Sequence, residues 1–428
     1  MIKAISLVLL VLAFTSCGLS TPKPVLGNQK SFDLEDTYIM FALRAEQIKD
    51  YNSASKLFNT LYQKSDKKEY LYRSIENDLI AKEYDKVIKR VDAFSKGALF
   101  DAELTRLKVV ALFEQNRLDE AIALSVKLAA KTKKPDDYLL TSDIYTKRQE
   151  FDLAVRYLES AYEKEHNEKI LDKMSIILYV NLGKKKEAIA HLETHSRMLG
   201  CSEVVCHRLA AFYSNDNNLE GLLSVYLRLY EYKKSDDVAK KIIQIYTYKR
   251  DYRHLAEFLK KSQADDALLL QIYASSKEYK KAYILADKLY ETTGEINYLG
   301  ESAIYEYEAN AVEPSKETLS SVIDKLENVV KHEKNPTYLN YLGYVLIDHE
   351  VDVKKGIKYI DEVLKLKPDS AYYLDSLAWG YYKLGQCKKA EKIIKRVVTL
   401  KGGDDPEVLA HKKAIEKCIK TQKGKKRK

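Results

Sequence analysis

Apolar residues recur along most of the chain with the spacing of an α-helix. In one stretch Ala154, Leu158 and Ala161 fall at i, i+4 and i+7, which places them on one face of a helix. Only 15 glycines and 7 prolines interrupt the 428 residues, and such sparse punctuation is unlike an all-β protein. The pattern predicts an all-α fold.

The helical pattern repeats with a nearly constant period. A small or apolar residue opens the second helix of each predicted helix pair, and the first seven of these positions are 33 or 34 residues apart. The next intervals are 27 and 40, so one unit is shortened and the following unit carries an insertion; the period then returns to 34. The spacing predicts eleven helix–turn–helix units over residues 37–402. The marker positions are Ala54, Val87, Ala121, Ala154, Ala188, Gly221, Leu255, Ala282, Val322, Gly356 and Ala390.

The last two units carry the clearest version of the pattern. The final one combines apolar and small residues on a first helix, a glycine in the turn and an apolar stripe on a second helix, namely Leu374, Leu377, Ala378, Tyr381, Gly385, Ala390, Ile394 and Val397. This unit resembles the tetratricopeptide repeat, a 34-residue helix–turn–helix motif. The resemblance implies a right-handed solenoid of about eleven repeats. We expect a capping helix over residues 403–419, because the last repeat leaves an apolar side uncovered.

The N-terminus predicts export from the cytoplasm. Lys3 precedes an apolar run from Ala4 to Thr15, which is shorter than the roughly 20 residues that span a bilayer and is typical of a signal peptide over residues 1–16. The sequence "FTSC" before and at Cys17 resembles the lipobox of bacterial lipoproteins, in which this cysteine carries the lipid. The alternative is an ordinary signal peptide with a cysteine there by chance.

Residues 17–36 are predicted to form the lipidated N-terminus and a flexible tether, because they contain proline, glycine and serine without a helical period. Gly18 stands where an aspartate would retain a lipoprotein in the inner membrane. By that resemblance we expect a protein of the cell envelope, anchored in the outer membrane and facing the periplasm.

The positive charge of the chain lies mostly at its end. The net charge is +9, but residues 420–428 alone hold six cations; without these and Lys3, 65 cations oppose 63 acids. A nearly neutral body lacks the broad basic face that nucleic-acid binding requires. We therefore expect no nucleic-acid partner and interpret 420–428 as a basic, disordered tail.

Two segments could hold a cofactor. "CSEVVCH" includes Cys201, Cys206 and a following histidine, and indicates either attachment of c-type haem or a disulfide in an oxidising periplasm. "HLETH" places His191 and His195 one helical turn apart, a spacing that could bind a metal ion. A periplasmic haem or metal redox protein is thus the alternative function, although we predict no cofactor and no metal site. Catalytic motifs are not found in the sequence, so we expect no enzymatic activity.

A second cysteine pair lies at the C-terminus. Cys387 begins the second helix of the last unit and Cys418 lies near the end of the capping helix. Antiparallel packing would bring these ends together, which predicts a Cys387–Cys418 disulfide beside the local Cys201–Cys206 bond.

The resemblance also implies where a partner would bind. First helices line the groove of such solenoids, and the residues between their packing positions face it. Trp379 is the single tryptophan of the chain, and we interpret it as an exposed anchor of the kind that concentrates binding energy. The alternative is that these rings pack beneath the capping helix or against each other. The predicted groove residues are Asn340, Tyr344, Tyr372, Asp375, Trp379 and Tyr382.

These expectations together describe a lipid-anchored scaffold that recruits other envelope proteins. Peptidoglycan enzymes, outer-membrane assembly factors and parts of a secretion, pilus or motility machine are the partner classes considered.

Overall fold

The computed structural model describes residues 30–95 and 100–425 of the chain. The predicted signal peptide, Cys17 and most of the predicted tether lie outside the described residues, as do residues 426–428 of the tail. The chain divides into two units at Tyr232 and Lys233, which we call the N-terminal unit and the C-terminal unit.

The N-terminal unit contains twelve α-helices within its described residues. They are α1 Glu35–Gln47, α2 Tyr51–Ser65, α3 Lys68–Ile80, α4 Tyr84–Ser95, α5 Ala102–Glu114, α6 Leu118–Thr132, α7 Pro135–Lys147, α8 Phe151–Glu165, α9 Glu168–Ile176, α10 Lys185–Leu199, α11 Glu203–Asn215 and α12 Leu219–Tyr232. A π-helical turn, Ile177–Asn181, continues α9.

The C-terminal unit contains eleven α-helices in the part that the structure describes. They are α13 Asp236–Lys249, α14 Tyr252–Ser262, α15 Asp266–Ser275, α16 Tyr279–Thr293, α17 Ile296–Ala309, α18 Lys316–His332, α19 Pro336–Asp348, α20 Val353–Leu366, α21 Ala371–Lys383, α22 Cys387–Val397 and α23 Pro406–Lys425.

Helices that follow each other in the chain pack against each other within each unit. Odd-numbered helices are the first members of eleven pairs, even-numbered helices are the second members, and α23 packs against α22 and α21. First helices of successive pairs also touch, as α17 does with α19 and α19 with α21. The predicted all-α solenoid of about eleven repeats with a terminal helix is confirmed over the described residues. The terminal helix continues beyond residue 419 as far as Lys425.

The close crossing of the two helices in each pair explains the 33–34-residue period. Ten of the eleven marker residues are buried, most of them with no exposed surface, whereas Gly221 is half-buried. A close crossing joins α19 to α20, where a Cβ atom added to Gly356 would lie 2.6 Å from the backbone oxygen of Gly343. A small residue is required there because the two backbones leave no room for a side chain.

The turns inside the pairs share one conformation although their residues differ. Lys49 takes a left-handed φ of 64°, and the amides of Lys49 and Asp50 bond back to the carbonyls of Glu46 and Ala45, which is a Schellman arrangement. The Asp50 carboxylate then accepts from the Ser53 amide and begins α2. Three residues thus end one helix and begin the next. Equivalent turns place Lys82, Asn116, Gln149, Asn217, Arg250, Lys277 and Gly385 at positive φ, whereas the turns at Gly183 and Glu350 have different hydrogen bonds.

We predict that Gly356→Ala destabilises the protein by about 1–2 kcal/mol. Overpacking a tight contact typically costs about 1–3 kcal/mol, and the better helix propensity of alanine returns about 1 kcal/mol at most. Urea unfolding followed by the fluorescence of Trp379, on the neighbouring helix α21, measures the change. Lys358→Ala, an exposed position on the same helix, is the matched control and should stay within about 0.5 kcal/mol of the parent. A Gly356→Ala protein as stable as the parent would contradict the close crossing.

Candidate functional site

Helix α23 covers the part of the C-terminal unit where the sequence predicts the groove. The Tyr344 hydroxyl on α19 donates to the Glu407 carboxylate on α23. One turn further along α23, His411 Nδ1 lies 2.8 Å from Asp375 Oδ2 on α21. Both contacts join predicted groove residues to the same helix, so this helix occupies the surface that a partner was expected to use.

The side chain of Trp379 is engaged within the protein on several sides. Its Nε1 donates to Asp348 Oδ1 at 2.7 Å, and its ring stacks on Tyr382 at 4.6 Å and on His411 at 4.0 Å between ring centroids. The Lys383 ammonium lies 5.3 Å from the ring centroid. The expectation of an outward-facing tryptophan is therefore wrong, because α23 and α21 supply the rings that cover it. The alternative, in which the rings pack together and beneath the terminal helix, describes this structure.

Two predicted residues have buried acceptor atoms without a partner. Asp375 is only 6% exposed, and its Oδ1 atom receives no hydrogen bond. Asn340 Oδ1 on α19 is likewise buried and unpaired. Tyr372 differs from the others because it is 58% exposed, beside Gly402 in the connection before α23. Buried acceptors without donors are unusual in folded proteins, and both mark this surface as one with unused hydrogen-bonding capacity.

A neighbouring acidic and aromatic surface lies on α17 and α19. Glu301, Tyr305 and Glu308 fall at i, i+4 and i+7 of α17, so they share one helix face. The Tyr341 hydroxyl on α19 donates to Glu308 Oε1 at 3.0 Å. We call these four residues, together with Asn340, the acidic–aromatic face. None of the five is fully exposed or fully buried.

Burial raises the pKa of two groups of the acidic–aromatic face, Glu301 and Tyr341. It raises the pKa of the Glu301 carboxyl above its usual range, because desolvation disfavours the charged form. Burial also raises the pKa of Tyr341, and the Glu308 carboxylate raises it further. Tyr341 is therefore a neutral hydrogen-bond donor at neutral pH. A cation placed near Glu301 would stabilise the charged form of that carboxyl.

The sequence carried a signal for this face that the prediction did not use. Glu301, Tyr305 and Glu308 follow the same helical period as the packing residues but stand on the adjacent stripe of α17. The groove predicted from the sequence lies in the last two units, where the repeat pattern is clearest. Tyr305 also stacks on Tyr279 at 6.2 Å between ring centroids, a contact between residues too distant in sequence for the pattern to indicate.

The two cysteine pairs are joined in the structure. Cα atoms lie 5.3 Å apart for Cys201 and Cys206 and 6.1 Å apart for Cys387 and Cys418, within the range that disulfides adopt. Gly200, with φ 96°, precedes the first pair and places Cys201 in the turn before α11. Cysteines bonded to each other have no thiol left for thioether bonds to haem.

The histidines of "HLETH" do not act as a pair. His195 is 2% exposed; its Nδ1 lies 2.6 Å from the Tyr162 hydroxyl and its Nε2 lies 3.4 Å from Glu168 Oε1. Both ring nitrogens of His195 are thus engaged, which leaves His191 as the imidazole that is available to a ligand.

Comparison with known proteins leaves the family of the chain open. Family models gave no match, and neither did the curated proteins. Solved structures similar to the chain include the following three. The chain shares 12% identity with "Structure of Naa15/Naa10 bound to HypK-THB", over 88% of this chain and 65% of that one, with a TM-score of 0.30. The chain therefore spans slightly less than two thirds of that relative.

The other two structures give similarly low scores. One is "MamA MSR-1 C2", with 17% identity over 46% of this chain and 97% of that one and a TM-score of 0.27. The other is "Crystal structure of APC/C hetero-tetramer Cut9-Hcn1", with 12% identity over 89% of this chain and 96% of that one and a TM-score of 0.28. TM-scores this low do not show a common fold. The fold is therefore described from the packing of the chain's own helices.

No helix within the described ranges is both long and apolar enough to cross a lipid bilayer.

We predict that His411→Ala loosens α23 and exposes Trp379. The substitution removes the ring stacked on the indole and leaves the Asp375 carboxylate buried without its partner, which costs about 1–3 kcal/mol. Because Trp379 is the single tryptophan, its emission should shift to longer wavelength and become more sensitive to acrylamide. Lys413→Ala, at an exposed position of α23, should leave both unchanged. Identical quenching in parent and His411→Ala proteins would show that α23 does not cover the indole.

Proposed function

We propose that the protein is a scaffold that binds an extended or helical segment of another protein through the acidic–aromatic face. The observation that carries the proposal is the combination of two half-buried carboxyl groups with tyrosine rings and the unpaired acceptor of Asn340. Buried acceptors call for donors, while carboxylates and aromatic faces both attract cations. The fitting partner is a segment with lysine or arginine side chains that also offers N–H groups.

We further propose that this scaffold works in a bacterial cell envelope, anchored by lipid on Cys17. The support is the short apolar run that ends in "FTSC" and the glycine after it. A tether between Cys17 and α1 would let the repeats reach partners at some distance from the membrane. Envelope proteins are accordingly the partner class, with the outer membrane, on its periplasmic side, as the location.

Lipid attachment at Cys17 predicts a change in processing and in bound fatty acid when that residue is mutated. Cys17→Ser should block processing and release of the signal peptide, so the chain accumulates as a larger precursor without bound fatty acid. Metabolic labelling with a palmitate analogue, followed by electrophoresis and mass spectrometry of the mature N-terminus, measures both effects. A Cys17→Ser protein of unchanged size that still carries the labelled fatty acid would contradict lipid attachment at Cys17.

Site-specific photocrosslinking tests the binding face. A photoreactive amino acid in place of Tyr305 should capture a distinct partner in intact cells, whereas the same group in place of Tyr248, which is 79% exposed on α13, serves as the control position. We predict that Glu301→Gln with Glu308→Gln lowers capture at Tyr305 about tenfold, which corresponds to about 1.4 kcal/mol of binding energy. Capture of the same proteins from both positions, or capture that is insensitive to the two carboxyl groups, would move the binding site elsewhere.

A further inference from the structure

Three potential metal ligands converge between two second helices of the N-terminal unit. Glu159 lies on α8, and Glu187 and His191 lie on α10. One ligand atom from each residue falls within 4.8 Å of the others. Glu187 and His191 are four residues apart, so they project from the same face of α10 on successive turns. The cluster contains two carboxylates and one imidazole, from two neighbouring repeats.

The crossing of α10 and α12 contains an ion pair that has no equivalent among the described residues at the crossing of α8 and α10. Glu193 stands five residues after the marker Ala188, as Glu159 stands five residues after Ala154. Across the crossing of α10 and α12, Glu193 Oε1 pairs with Arg228 Nη2 at 2.9 Å. The residue of α10 in the register of Arg228 is His195, and its two nitrogens are already engaged by Tyr162 and Glu168. Glu159 therefore has no cation in the position that Arg228 takes beside Glu193 at the next crossing.

The cation near the cluster, Lys184, pairs with a different acid. Its charge is felt by Glu159 and Glu187, but its Nζ lies 2.8 Å from Asp152 Oδ1. Elsewhere in the N-terminal unit, acids that join neighbouring repeats pair with arginine or lysine, as Asp137 does with Arg106 and Asp216 with Lys185, each at 2.7 Å. In the part of the chain that the structure describes, Glu159, Glu187 and His191 have no lysine or arginine at ion-pair distance. Two carboxylates and an imidazole that converge without a direct ion-pair partner form a set of ligands that a divalent cation could join.

We propose that Glu159, Glu187 and His191 bind one zinc ion, which joins α8 to α10. Imidazole nitrogen and carboxylate oxygen are both ordinary zinc ligands, and a site with three protein ligands completes its tetrahedron with water. An imidazole ligand favours zinc over magnesium and calcium, which prefer sites made of oxygen atoms. Bonds of about 2.0–2.1 Å require the ligand atoms to move closer than 4.8 Å, and all three side chains lie at the surface or are half-buried. They can therefore rotate inward without disturbing the core.

This site differs from the metal site considered from "HLETH". His195 is not among the ligands, because Tyr162 and Glu168 engage its ring nitrogens. The ligands that join His191 are Glu187 of the same helix and Glu159 of α8. Zinc has no accessible redox chemistry, so the proposed role is to clamp two repeats together. The site lies in the N-terminal unit and is independent of the acidic–aromatic face.

Titration of the purified protein with zinc tests the proposal. After removal of metals with a chelator, isothermal titration with zinc chloride should give one ion per chain and a higher thermal midpoint, because a ligand that binds the folded state alone stabilises it. His191→Ala and, separately, Glu159→Gln should each weaken binding at least tenfold. Glu163→Gln, an exposed acid one turn further along α8, should bind as the parent does. Circular dichroism verifies that the variants are folded.

Three results would overturn the proposal. They are the absence of binding at 100-fold molar excess of zinc, binding by folded His191→Ala or Glu159→Gln protein with the affinity of the parent, and magnesium binding as tightly as zinc at the same residues.

Discussion

The close crossing of two helices within each pair is the contact on which the rest of the structure depends. A helix pair can pack its apolar stripes only if the backbones approach where the second helix begins, and that requires a small or compact residue at one position. In most pairs this residue is fully buried, and at Gly356 even a methyl group would meet backbone. In the C-terminal unit, first helices of successive pairs then contact each other, as α17 does with α19 and α19 with α21, and form a shared surface.

The sequence predicted this framework because the crossing imposes a local rule on single residues. Marker positions such as Ala154 and Ala188 can be read directly, and they indicate the number of pairs and the shortened and extended units. The turns were harder to predict. Most of their left-handed positions hold lysine, asparagine or glutamine in place of glycine, so the conformation is fixed by the backbone hydrogen bonds of the two flanking helices rather than by an evident turn residue.

The candidate site could be predicted only in part, because it depends on contacts between distant residues. The sequence predicts a helix after the last repeat, but it does not predict which residues that helix contacts. Those contacts determine whether Trp379 is covered or faces outward. His411 and Asp375 are 36 residues apart, and no periodic pattern indicates that they meet. The same limit applies to Glu159 and His191, whose relation follows from the crossing of α8 and α10. Sequence patterns thus located the first helices correctly but not the surface that remains uncovered.

The covering of α21 by α23 divides the inner surface of the C-terminal unit into two parts with different roles. Under the terminal helix, aromatic and polar groups such as Trp379 and His411 pack against each other; on α17 and α19, the residues of the acidic–aromatic face stay half-buried and the described part of α23 makes no hydrogen bond to them. Hydrogen exchange resolved by helix tests this division most directly. We expect the backbone amides of α23 to exchange as slowly as those of α21, because the two helices pack against each other. Exchange of α23 at the rate of an unfolded chain, with α21 still protected, would contradict this expectation and would make the predicted groove an open surface.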